Sequence, residues 1–223
     1  MARRPGRPLI VSDCDEVLLH MVVPFRDWLG EHHGIDLSFD DHDFARSMRR
    51  RSSGETLAMG EIWPLLEQFF VSEMHRQQPI AGAVASVTEL TRHADVVVLT
   101  NLTHQFNEAR TRQLAEAGIN VRVFTNQGPK GPALKAIVDE YAPSRAVFID
   151  DLPQHHDSVA QILPHVARLH LCGEPLMAPN ITCAFKAGHA DARIDDWATA
   201  LPWLLARIAD DADADDIAEG ETE

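Results

Sequence analysis

Cysteine is scarce in this chain: Cys14, Cys172 and Cys183 are its full complement, widely spaced and with no CxxC pair. An odd, scattered set is no disulfide framework, and it suits a reducing cytosol. Basic residues are short as well, 20 Lys and Arg against 34 Asp and Glu, for a formal charge of −14. A surface this acidic repels a phosphate backbone, which argues against nucleic acid as a partner. No apolar run approaches the roughly 20 residues that span a bilayer. The run behind Arg3, Arg4 and Arg7 is interrupted by Asp13 and Asp15, so neither a membrane anchor nor a secretory signal is expected. The last fourteen residues, 210–223, lack Lys and Arg altogether and hold eight acids. An acidic, disordered tail is expected over 209–223.

What remains is ample for a core. The 223 residues are 45% hydrophobic and 24% charged, ordinary values for a soluble protein with one large domain, or a core and a modest second module. Five short, β-branched apolar runs read as buried parallel strands: Pro8 to Ser12, Asp95 to Thr100, Val121 to Phe124, Ala146 to Ile149 and Val166 to Leu171. Helical patterns lie between them, over Gly82 to Arg92, Gln105 to Ala117 and Ala133 to Tyr141. This alternation predicts an α/β, Rossmann-like core with a mostly parallel sheet covered by helices.

The last four strands recur at intervals of about 22 to 25 residues, whereas almost ninety separate the first from the second. Roughly sixty residues are therefore inserted after strand 1, and they read as helices over Pro24 to His33, Asp40 to Arg51 and Glu61 to Met74. The expected organisation is a core of residues 1–19 and 80–208, with a small all-helical cap over 20–79. The aromatic residues of the insert, Phe25, Trp28, Trp63, Phe69 and Phe70, read as its core. Arg46 and Arg49 to Arg51 read as a solvated face beside Ser52-Ser53-Gly54, with a substrate-facing loop as the alternative.

In open parallel sheets ligands sit outside the carboxyl ends of the strands. Strand 1 is followed by Asp13-Cys14-Asp15-Glu16-Val17, strand 2 ends in Thr100-Asn101, Lys130 opens the helix after strand 3, and strand 4 runs into Asp150-Asp151. An Asp or Asn after a strand also caps helices, and a lone Lys is usually a solvent lysine. Four strand ends behaving this way together point elsewhere. Carboxylates crowded at one edge repel unless a cation neutralises them, and Mg²⁺ favours one or two carboxylates with a phosphate oxygen. A magnesium and phosphate site is expected. The histidine pairs His32-His33 and His155-His156 are adjacent, so neither presents two rings on one helical face, and no zinc site is read from them.

These residues resemble the four motifs of the haloacid dehalogenase superfamily: a strand-1 DxDx[T/V], a strand-2 Ser or Thr, a Lys at a helix start and a strand-4 acidic pair. The resemblance covers roughly residues 8 to 205, and the insertion matches where that family places a helical C1 cap. It implies Asp13 as nucleophile forming an aspartyl-phosphate, Asp15 as general acid and base, and Thr100 and Lys130 holding the transferring oxygens. It further implies Mg²⁺ held by Asp13, the Asp15 backbone carbonyl and Asp151, with Asp150 beside them, and Asn101 and Glu16 near the substrate. An Asp two residues after the nucleophile favours phosphatases and phosphomutases over dehalogenases and transport ATPases. The family usually has Gly where Glu16 stands, so a Glu here alters the hinge, biases the substrate or marks a weakened enzyme. Asp157 is a further candidate acid on the helix after strand 4.

The expected activity is thus a cytoplasmic, Mg²⁺-dependent phosphatase of a small phosphate ester. A phosphomutase or a phosphate-binding regulator without turnover are the alternatives, and the oligomeric state is left open. A response-regulator receiver would need an acid after strand 3, where none directly follows Phe124.

Overall fold

The computed structural model describes residues 6–39 and 46–209; of the tail expected over 209–223, residues 210–223 lie outside them. Six parallel strands form the sheet in the order β5-β4-β1-β6-β7-β8. They are β1 (Leu9–Ser12), β4 (Asp95–Thr100), β5 (Arg122–Thr125), β6 (Ala146–Asp150), β7 (Ala167–His170) and β8 (Ala192–Arg193). The five strands read from sequence are all present; β8, two residues long, carries too little pattern to be read. β1 is central and fully buried, with Ser12 level with Val98 of β4 and with Ile149 of β6. The chain order departs from β1 in both directions, which brings the carboxyl ends of β1, β4 and β6 side by side.

Side chains alternate between two cores, as the period of two requires. Leu9, Val11, Val97, Leu99 and Phe148 face α5 (Lys130–Tyr141) and α6 (Pro153–Ile162), where they meet Leu134, Ile137 and Val159. Ile10, Val96, Val98 and Ile149 face the other way, against α3 (Ala83–His93), α4 (Asn107–Glu116) and α7 (Trp197–Ile208) through Val87, Leu90, Leu114, Trp197 and Leu204. No described helix is long and apolar enough to cross a membrane.

Between β1 and α3 the insert builds its own core from α1 (Val22–His32) and α2 (Met59–Ser72), with Phe25, Trp28, Leu29, Ile62, Leu66 and Phe69 at its centre. The aromatic residues are packing residues, except that Trp63 on the outer side of α2 is 62% exposed. The insert is not entirely helical. Of the helix expected over Asp40 to Arg51, residues 40–45 lie outside the described residues, and Met48–Arg50 is a strand, β3, antiparallel to β2 (Ile35–Leu37). The reason is periodicity: Ile35, Leu37 and Met48 are buried while Asp36 and Arg49 are exposed, an alternation that buries one face of a hairpin. The arginines decorate its outside, Arg51 on Asp36 at 2.7 Å and Arg50 on Glu61.

Candidate active site

Lys130, the first residue of α5, lies wholly inside the protein. Its Nζ is 2.7 Å from Asp13 Oδ2 and 2.7 Å from Asp150 Oδ2. It reaches that position because α5 presses closely on α6. A Cβ on Gly131 would stand 2.4 Å from the Ser158 carbonyl oxygen, so only glycine permits the approach, and the Gly131 N–H donates to Ser158 Oγ at 3.1 Å. The other oxygens are fixed by main chain: Cys14 N–H donates to Asp13 Oδ1 at 2.7 Å, and Leu152 N–H to Asp150 Oδ1 at 2.9 Å. Asp151 completes the group, with one carboxylate oxygen from each of the three acids within 4.8 Å of the others.

Three buried carboxylates share one ammonium, so their charges compete. Burial opposes the charge on Lys130, but Asp13 and Asp150 together hold its pKa above the usual lysine value. Burial also opposes charge on Asp150, yet Lys130 outweighs it and keeps that carboxyl below its ordinary range. Asp13 is pushed up to about 7 by burial and by Asp150, despite Lys130. Asp151 is held well above its normal value by burial and by the negative charge of Asp150 and Asp13. With all three acids ionised the group carries an uncompensated double negative charge. An all-oxygen donor set of that charge fits a hard dication, and Asp13, Asp150 and Asp151 are the residues that would hold it.

Asp15 faces another way. Arg110 Nη2 is 2.9 Å from its Oδ1, and Gln77 Nε2 donates to the same oxygen at 2.7 Å. Arg110 is fully buried on α4 and also donates to Cys14 Sγ at 3.0 Å. The sequence reading missed both partners. Arg110 had a signal, since it sits midway between Phe106 and Leu114 at four-residue spacing on a buried stripe. Thr100 is buried at the end of β4, and its hydroxyl has no partner among the described residues. Asn101 is exposed, donating to the Gly128 carbonyl at 3.0 Å and accepting from Asn126 at 2.9 Å.

Glu16 adopts φ +59°, the left-handed region that glycine takes without strain. Its carboxylate turns to the start of α1, where Oε1 accepts the N–H groups of Met21 at 2.8 Å and Val22 at 2.6 Å. A helix N-terminus favours such an anion, which offsets part of the backbone cost. Burial nevertheless pushes the Glu16 carboxyl up to about 8.

Histidines brace the acids from behind. His156 Nε2 donates to the Asp150 carbonyl at 2.9 Å and His170 Nε2 to the Asp151 carbonyl at 2.7 Å, while His170 Nδ1 accepts the Ala184 N–H at 2.9 Å. Both histidines of the adjacent pair, His155 and His156, are buried. Asp157 does not join the site. It is partly exposed on α6, accepting from Gln161 at 2.8 Å.

Burial holds His170 down at about 4, below its ordinary 6.5. At this position the unfolded chain binds a proton in this window that the folded chain does not, so the stability contributed by His170 falls as pH drops from 6.5 toward 4. The full shift corresponds to at most about 3 kcal/mol. A cation at the neighbouring acids would act in the same direction. Asp13 and Glu16, raised to about 7 and about 8, act in the opposite direction over that range, so the histidine is read as a difference: the Tm of His170→Gln should rise relative to wild type as pH falls from 6.5 toward 4. A difference that does not change with pH would remove His170 as the cause.

No protein-family model and no curated protein matches the sequence. Solved structures do match along nearly the whole chain. A conserved haloacid dehalogenase-like protein from Agrobacterium tumefaciens aligns with 92% of this chain and 100% of its own, at 16% identity and a TM-score of 0.65. A HAD family hydrolase from Deinococcus radiodurans, solved with bound phosphate and sodium, aligns over 91% and 96% at 15% identity and a TM-score of 0.63. A hydrolase of the same kind from Streptococcus pneumoniae aligns over 89% and 98% at 12% identity and 0.61. The chain has the haloacid dehalogenase-like fold. At these identities the likeness is one of fold, and the chemistry must be argued from the site.

Proposed function

We propose that the chain is a Mg²⁺-dependent phosphohydrolase that cleaves a small phosphate monoester through an aspartyl-phosphate on Asp13. The observation that carries this reading is Lys130 Nζ standing 2.7 Å from both Asp13 and Asp150, with Asp151 beside them, at the carboxyl edge of the sheet. When bound, Mg²⁺ would screen the phosphate and supply positive charge at its oxygens.

Asp13 attacks phosphorus, an oxygen–phosphorus bond forming as the bond to the leaving oxygen breaks. Asp15 gives its proton to that oxygen, then takes one from the water that attacks the aspartyl-phosphate and frees inorganic phosphate. Lys130 steadies the charge passing through Asp13, and the Thr100 hydroxyl, which has no partner among the described residues, would donate to a phosphoryl oxygen. Gln77 belongs to the segment that returns from the insert to the core, so its contact couples Asp15 to the insert. This coupling supports reading the insert as a cap. The Glu16 carboxylate is directed to the start of α1, where it accepts two main-chain N–H groups.

The test follows inorganic phosphate released from sugar, polyol and aryl phosphates, with and without Mg²⁺, and then in Asp15→Asn. An alkoxide leaving group needs a proton and a nitrophenolate hardly does. The variant should therefore lose about 10² to 10⁴-fold on an alkyl phosphate and far less in the first step with an aryl one. No phosphate release from any ester would overturn the activity. Equal slowing of the first step for both leaving groups would remove Asp15 as the acid.

A further inference from the structure

A second group of potential ligands lies outside the Lys130 cluster. Glu16, His20 and Glu174 each bring one ligand atom within 4.8 Å of the other two. They come from the turn after β1, the approach to α1 and the loop after β7. His20 Nδ1 is 2.9 Å from Glu174 Oε2, and Glu174 Oε1 is occupied by the Leu176 N–H at 2.9 Å. Glu16 is 2% exposed; its Oε1 takes the two α1 N–H groups, and its Oε2 is buried with no hydrogen-bond partner. A buried carboxylate oxygen without a donor is costly, and a bound cation removes that cost. The backbone holds the three residues together. Gly173 N–H donates to the Glu16 carbonyl at 2.6 Å, and a Cβ on Gly173 would stand 2.6 Å from Ile80, so only glycine lets this loop close on the turn.

We propose that Glu16, His20 and Glu174 form a second divalent-cation site, which takes a transition-metal ion of the Zn²⁺ type. One imidazole nitrogen with two carboxylates suits Zn²⁺, whereas Mg²⁺ prefers oxygen donors throughout. His20, 28% exposed, borders solvent and leaves room for water as a further ligand. The ion would tie the segment leading into the insert to the loop after β7. This inference stands independently of the phosphatase reading, since it concerns metal uptake and not turnover.

The experiment uses the full chain carrying Asp151→Asn, which disables the other acid cluster, and in parallel the wild-type chain in millimolar Mg²⁺. Zn²⁺ uptake is measured by calorimetry against a competing chelator, and Tm with and without Zn²⁺. One equivalent should bind and raise Tm by about 5 °C. Adding His20→Gln or Glu174→Gln should weaken binding by about 100-fold and abolish the Tm rise. Both replacements are near-isosteric, and the metal-free Tm of each identifies any variant that fails to fold. X-ray absorption of the Zn²⁺ form should show a single imidazole among nitrogen and oxygen ligands. Absence of Zn²⁺ uptake in both backgrounds, or uptake and Tm rise unchanged by the two replacements, would overturn the proposal.

Discussion

Asp13→Asn should abolish phosphate release while the fold survives. A carboxamide cannot attack phosphorus, and loss of a covalent nucleophile removes at least about 10³-fold of the rate. Stability should hold, because burial and Asp150 already disfavour the charge on Asp13, lifting it to about 7, and Lys130 keeps Asp150 at 2.7 Å when Asp13 is neutralised. Tm should therefore be unchanged or a few degrees higher at neutral pH. The intermediate offers a direct view. Acid-quenched wild-type enzyme should carry an acyl phosphate that hydroxylamine removes, and Asp13→Asn should carry none. Retained turnover above about one percent of wild type, far more than loss of a nucleophile allows, would end the assignment of Asp13.

Much of this site was legible before the fold was known, for a specific reason. Strands buried on both faces read as uninterrupted apolar runs, so the residues that end them can be singled out, and ligands gather at those ends. Asp13, Thr100, Lys130, Asp150 and Asp151 emerge that way, and the structure gathers Asp13, Lys130, Asp150 and Asp151 within a few ångströms of one another. What was not legible depends on elements far apart in the chain. Nothing local to Gln77 or Glu174 says that one meets Asp15 and the other His20. Arg110 was hidden by its helix-forming context, although its place on a buried stripe was visible. Asp157 is only a candidate by its proximity to Asp150, and the buried residues of α6 are His155, His156 and Val159. The insert's hairpin was misread because a short arginine-rich segment looks polar and helical until the alternation of Met48 with Ile35 and Leu37 is set beside it.

Lys130→Met should produce the largest loss of stability of any single change at the site, and one with a distinctive pH signature. The replacement keeps an unbranched side chain of similar reach but leaves Asp13, Asp150 and Asp151 buried without their cation. Breaking a buried pair by removing one partner typically costs about 3 to 5 kcal/mol. For a chain of this size that corresponds to a fall in Tm of about 10 °C in metal-free buffer at neutral pH. The sign of the pH dependence then follows. Without Lys130, Asp150 loses the charge that holds it down and Asp13 and Asp151 are raised further above their unfolded values, so the folded chain binds more protons than the unfolded one. That stability is present at low pH and is lost as pH rises through the folded values. The gap between variant and wild type should thus narrow from pH 7 to pH 5, where the carboxyls protonate. The acid sensitivity set by His170 acts on both proteins equally and cancels in the difference. A divalent cation should narrow the same gap at neutral pH by replacing the missing charge, without restoring turnover, because Lys130 would no longer steady Asp13 during transfer. A variant with the wild-type Tm at pH 7 in the absence of metal would show that the three acids are not charged together, and the electrostatic basis of the site would fall with it.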